Sequence, residues 1–177
     1  MELLKTSLEG VMLFQLDRRS DDRGYFQQNW SHDLFGSAGI NVDWDHSAFA
    51  YNNKKHTLRG LHYQRAPYDE SKTVQCIRGS VFDVVVDLRV KSPTYLKWES
   101  FNLSAADSKM LFLPNGFAHG YLTLEPDTLL FYHLSKPYSV ECATGILWSD
   151  PTLKIDWPEI SELTISKKDS SLPEYSE

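Results

Sequence analysis

SVFDVVVDLRV, residues 80–90, is rich in β-branched side chains, which suit a pleated and half-buried backbone. Its alternation puts Phe82, Val84 and Val86 on one face and Asp83, Val85 and Asp87 on the other. A strand is therefore expected here, with Asp83 placed to line the interior of a sandwich or barrel. A buried aspartate needs a partner, and histidine is a common one. The flanking stretches alternate similarly: KWESFNLS at 97–104, KMLFLP at 109–114, GYLTLE at 120–125 and TLLFYHLS at 128–135. Turn residues separate them, in RGS at 78–80, KSPT at 91–94, PNG at 114–116 and EPD at 125–127. Strands at such close spacing predict an all-β antiparallel double sheet. The spacing predicts one helix over SHDLFGSAG, residues 31–39, with Ser31 as N-cap and a glycine closing it. Neither a repeat nor a Pro/Gly/Ser-rich linker divides the chain. Residues 1–177 read as one domain, with a polar and flexible tail from about 170.

Composition narrows the function classes. With 18 Lys and Arg against 24 Asp and Glu, the formal net charge is −6. Nucleic-acid binders usually carry a basic face, so nucleic acid is not an expected partner. A phosphorylated small molecule remains compatible, because a few cations in one cleft hold a diphosphate on an acidic protein. No apolar run approaches the roughly 20 residues of a membrane span, and no membrane partner is expected. The start, MELLKTSLEGVMLFQLD, lacks a basic region followed by a small-residue cleavage site. Two cysteines, Cys76 and Cys142, supply neither a disulfide framework nor a thiolate zinc pattern. Reduced thiols and a cytoplasmic location are the expectation.

Four constellations carry candidate chemistry. RGLHYQ, residues 59–64, places His62 close behind Arg59, with Lys72 ten residues on. A core histidine bonded to a carbonyl competes with a base beside an anion site. PNGFAHG, residues 114–120, places His119 after a turn, in a P-x-G-x-x-H pattern resembling a motif of the cupin superfamily. Metal-binding cupins add H-x-H and a glutamate. Here His62 is followed by Tyr63 and Gln64, so no metal site is expected. FYHLSKPYSVE, residues 131–141, offers Tyr132 and Tyr138, and residue chemistry alone singles out neither. DDRGYF, residues 21–26, reads evenly as a polar loop or as a phosphate contact, Arg23, beside a stacking surface, Phe26.

Taken in order, DDRGYF, LRGLHYQ, Lys72, GSVFDVVVDLR, SPT, LPNGFAHGY, the Tyr138 segment, SDPTLKIDWP and SKKD resemble the dTDP-4-dehydrorhamnose 3,5-epimerase family over nearly the whole chain. The resemblance implies a cupin jelly roll with one or two short helices, working as a homodimer with no metal or organic cofactor. It implies inversion at C3, and at C5, of a nucleoside-diphospho-4-keto-6-deoxyhexose. His62 is the implied base, Tyr138 the acid, and Asp169 the carboxylate that orients the base. Arg23, Phe26, Arg59, Lys72, His119 and Lys168 match positions that hold nucleotide, diphosphate or sugar, and Asp83 joins this substrate-binding set. Gln28, Ser47 and Phe49 also fall on binding positions, but they depart from the family pattern, as do Tyr51 and Asn53. The departures leave open the nucleotide (dTDP, CDP or GDP), whether the sugar is a heptose, and the number of inverted centres. A metal-dependent cupin and a non-catalytic sugar-nucleotide module are the readings from other classes.

Overall fold

The computed structural model describes residues 1–176. Along the chain come β1 (Glu2–Leu4), β2 (Met12–Gln15), β3 (Arg18–Asp21), β4 (Gly24–Gln27), α1 (His32–Ser37), β5 (His46–Asn52), β6 (Thr57–Gln64) and β7 (Lys72–Arg78). After these come β8 (Ser80–Asp87), β9 (Trp98–Ser104), β10 (Lys109–Leu113), β11 (Phe117–Thr123), β12 (Thr128–Leu134), β13 (Ala143–Gly145), β14 (Thr164–Ile165) and α2 (Lys167–Ser170). The all-β expectation holds, and the alternating stretches become β8 to β12. Helix α1 starts where expected: Ser31 Oγ accepts from Leu34 N at 3.1 Å, and Gly39 follows in the left-handed region at φ +78. DDRGYF forms a hairpin, in which an exposed turn at Asp22 and Arg23 leads into a strand as the polar-loop reading has it: β3 pairs antiparallel with β4 and Gly24 takes φ +128.

One sheet runs β1-β2-β10-β7-β12-β5 and the other β13-β6-β11-β8-β9, with β14 joining β6 in parallel. Between the sheets lie Val74, Val81, Val85, Leu111, Leu113, Leu130 and Phe101. Each such side chain contributes about 1.5–3 kcal/mol by leaving water. Val84 and Val86 face outward from β8 and pack with Leu61, Ala118 and the Trp157 segment. Asp83 faces inward and is fully buried, as the alternation requires. The outer face of the first sheet is covered at β2 and β10 by Phe35 of α1, Ile40 and Trp44. Its β5, β7 and β12 portion carries exposed Phe49 and Ile77.

Two local features fix the geometry around β6. Gly60, at φ +114, lies so close to β11 that a Cβ would sit 2.6 Å from Gly120 Cα and 2.7 Å from His119 O. The ladder between β6 and β11 is irregular between His119 and Tyr121. On its other edge β6 is shared: Thr57 and Leu58 pair with β14, and His62 to Gln64 pair with β13. At one end of the sandwich, buried Asp87 accepts from Arg89 Nη2 at 2.7 Å, Ser92 Oγ at 2.5 Å and Thr94 Oγ1 at 2.6 Å. The chain after Ser170, expected as a polar tail, lies along the second sheet. Leu172 packs over Gly145, Leu147 N donates to Pro173 O at 2.8 Å, and Tyr175 N donates to Asp150 Oδ2 at 2.6 Å. Residue 177 lies outside the described residues.

Candidate active site

Where β14 ends and β13 has not begun, the N–H of Gly60 would point at nothing on its own edge. Asp169 fills that gap: its Oδ2 accepts from Gly60 N at 3.2 Å and its Oδ1 lies 2.9 Å from His62 Nε2. The aspartate is held by its own helix, because Ser166 Oγ caps α2 by accepting from Asp169 N at 3.0 Å. The carboxylate is 5% exposed, so both bonds form in surroundings of low dielectric. With Nε2–H donated to Asp169, the lone pair of His62 sits on Nδ1. Among the described residues, Nδ1 has no hydrogen-bond partner. Burial pushes the His62 imidazole below its ordinary pKa, and Lys72 and His119 add to this. Asp169 opposes it. The result is a neutral imidazole, backed by a carboxylate, at the edge of a cleft.

Around this dyad the strands bring several expected residues together. His119, in register with His62, points its Nε2 at both oxygens of Asp83, at 3.0 and 2.9 Å. Burial pushes the Asp83 carboxyl up, opposed by His119 and Lys72. Arg59 Nε donates to Asn52 Oδ1 at 2.9 Å, and Tyr121 donates to the same oxygen at 3.2 Å. Tyr132 faces the interior with its ring 6.3 Å from that of His119. Burial, followed by the neighbouring Tyr121 and Asp83, pushes its phenol well above the ordinary value. Tyr138 is 62% exposed at the cleft mouth, where Lys168 Nζ donates to its hydroxyl at 3.3 Å. His62, Lys72, Tyr138 and Lys168 line one cleft of about 260 Å³. Arg59, His62, Lys168 and Asp169 line an adjoining one of about 410 Å³. Together these clefts present a base, the Tyr138 phenol and three cations, an inventory suited to proton transfer on an anionic ligand.

Other expected residues stay away from His62 within one chain. Arg23 is at the tip of the β3–β4 hairpin, paired with Asp21 at 2.6 Å and almost fully exposed. Phe26 and Gln28 line a separate small cleft with Met1 and Leu34. Ser47 and Phe49 lie on the outer face of β5. There Ser47 Oγ is 2.9 Å from His133 Nδ1, and Phe49 packs on Phe131 at 5.2 Å between ring centres. The sequence reading missed Asn52, Gln64 and Glu70. Gln64 carried one usable signal, since two residues after His62 on a strand puts both on one side. Among the described residues, no group of three or more His, Cys, Asp or Glu side chains converges as a metal would require. His62 and His119 each serve a different carboxylate.

The family model described as dTDP-4-dehydrorhamnose 3,5-epimerase matches residues 5–177. An enzyme of that name from Sinorhizobium fredii is 40% identical over 171 residues, covering 97% of this chain and 88% of its own. The crystal structure of the Bacillus anthracis dTDP-4-dehydrorhamnose 3,5-epimerase, with TDP and PPi bound, superposes with a TM-score of 0.95. The identity is 34%, with coverage of 98% and 99% of the two chains. A histidine and tyrosine double mutant of a 3'-monoepimerase from Streptomyces bikiniensis, in complex with dTDP, superposes with a TM-score of 0.90. Here the identity is 29%, with coverage of 96% and 85%.

Proposed function

We infer the reaction from a plain premise: this chain belongs to the dTDP-4-dehydrorhamnose 3,5-epimerase family. It is an isomerase, an epimerase of sugar nucleotides, and it takes a nucleoside-diphospho-4-keto-6-deoxyhexose. The observation that carries the reading is the 2.9 Å bond between His62 and Asp169 beside a cation-lined cleft. The C4 ketone acidifies the protons on C3 and C5. His62 Nδ1 takes one of them, and Asp169 holds the tautomer and stabilises the imidazolium that results. The electron pair left on carbon moves into the carbonyl as an enolate, whose oxygen Lys72 stabilises. Arg59 and Lys168 hold the diphosphate and nucleotide side.

Inversion needs a proton from the opposite face. We assign that donor to Tyr132 in place of the Tyr138 expected from sequence. Tyr132 packs against the sandwich interior, 6.3 Å ring to ring from His119, the cross-strand neighbour of His62, whereas Tyr138 is largely exposed. The histidine and tyrosine replaced in the Streptomyces bikiniensis 3'-monoepimerase are seventy positions apart, as are His62 and Tyr132. That neighbour also motivates a second reading, inversion at one centre only.

The protein works as a homodimer in the cytoplasm, with Cys76 and Cys142 reduced. Exposed Phe49, Tyr25 and Phe26, at 65%, 59% and 66%, support a partner on this face. In a two-fold assembly, the hairpin with Arg23 and Phe26 reaches the partner's cleft. Sedimentation at micromolar concentration should give a dimer, and a monomer alone would contradict it.

The deciding experiment is proton exchange in D2O with dTDP-4-keto-6-deoxyglucose, followed by NMR with His62→Ala as control. Loss of both the C3 and C5 signals in wild type alone supports the two-centre reading, and loss of one supports the single-centre reading. Exchange undiminished in His62→Ala would refute the mechanism.

A further inference from the structure

Both walls of the His62 cleft are tied to polar side chains that the reaction itself does not use. Gln64 lies two residues beyond His62 on β6 and is 7% exposed. Its Nε2 is within bonding distance of Tyr68 O at 3.0 Å, Pro137 O at 3.2 Å and Glu70 Oε2 at 3.2 Å. Its Oε1 accepts from Ser139 N at 2.7 Å. The bonds to Pro137 and Ser139 bracket Tyr138. Glu70 Oε1 accepts from Lys72 Nζ at 2.8 Å, and these two side chains are only 10% and 9% exposed. Hydrogen bonds thus run unbroken from the backbone on either side of Tyr138, through a carboxamide and a carboxylate, to an ammonium.

We propose that Gln64 and Glu70 act as one positioning unit, which holds Lys72 and the Tyr138 segment at fixed places around His62. The inference rests on the reading that this cleft takes the sugar nucleotide. The four-carbon stem of lysine is flexible and its ammonium is a point charge. Without Glu70 that charge moves freely instead of staying where the enolate oxygen forms. Without Gln64 the backbone on either side of Tyr138 loses its bonds to the carboxamide. Misplacement of Lys72 weakens an interaction made in the transition state more than those made with bound substrate.

The test measures kcat and KM on the intact protein for wild type, Glu70→Gln, Gln64→Leu and the double variant, with thermal unfolding followed in parallel. Glu70→Gln should lower kcat about 10-fold or more, with KM within about threefold of wild type. The double variant should lose no more than the worse single variant, because one unit is broken twice. A Glu70→Gln protein with wild-type kcat overturns the proposal. So do losses that multiply in the double variant, and so does a loss confined to KM or explained by unfolded protein. Gln64→Leu removes every bond of its carboxamide, so if it does not fold the conservative Glu70→Gln decides alone. A wild type that exchanges no sugar proton refutes the underlying reading instead, and that result needs no variant.

Discussion

His62 sits between opposing influences. Burial, Lys72 and His119 favour the neutral ring, and Asp169 favours the charged one. The net lowering means the base is deprotonated below the ordinary imidazole value, which is near 6.5. The kcat/KM profile should therefore rise with pH along a limb centred below 6.5. Asp169→Asn removes the group that raises the pKa, so its limb should move lower still. Its kcat should fall roughly 10²- to 10⁴-fold as the tautomer is lost. An unmoved limb would exclude Asp169 as the partner in chemistry. For the phenols, Tyr132→Phe should abolish inversion while Tyr138→Phe changes KM more than kcat, read by the same NMR assay. The reverse order would return the acid to Tyr138. Sequence made some of this legible. Alternation alone put Asp83 inside with a histidine as its natural partner. Nothing local joins His62 to Asp169, 107 positions away, and only the resemblance supplied that pair. Alternation with His62 hinted at Gln64 alone; its bonds to the backbone of Pro137 and Ser139, and the Glu70 bonds to Gln64 and Lys72, leave no trace in the sequence.

Strands β6 and β11 cross with glycine facing glycine, and the left-handed backbone of Gly60 compounds the crowding. A methyl group at Gly60 would meet the Gly120 backbone and the His119 carbonyl, neither of which is a flexible side-chain end. Gly60→Ala should therefore cost about 3 kcal/mol or more in urea unfolding. Because Gly60 N also anchors Asp169, the folded fraction should lose turnover as well. An alanine variant of normal stability would show that the strands separate easily. At this scale the sequence was most readable in β8 to β12, where side chains alternate between a core and an outer layer. It was least readable in β3 and β4, whose residues are mostly exposed. Without a buried face there is no alternation to detect.

Across the whole molecule, the chemistry gathers around His62 and Asp83, while Asp87, at the far end of β8, closes the sandwich. Burial alone would raise the Asp87 carboxyl, but bonds from Arg89, Ser92 and Thr94 outweigh it and hold the value at about 2. A depressed carboxylate stabilises the fold above its unfolded value near 4 and loses that effect as pH falls toward 2. Wild type should exceed Asp87→Asn by about 2 kcal/mol or more in urea unfolding at pH 7, with the gap closing near pH 2. A gap independent of pH would assign the effect to packing instead. The bond from His62 to Asp169 spans 107 positions of chain, and short β14 and four-residue α2 dock onto sheets that need neither of them to pair. Loops of that length close late. A refolding chain will recover native tryptophan emission before it can move a proton, so turnover is the last signal to return.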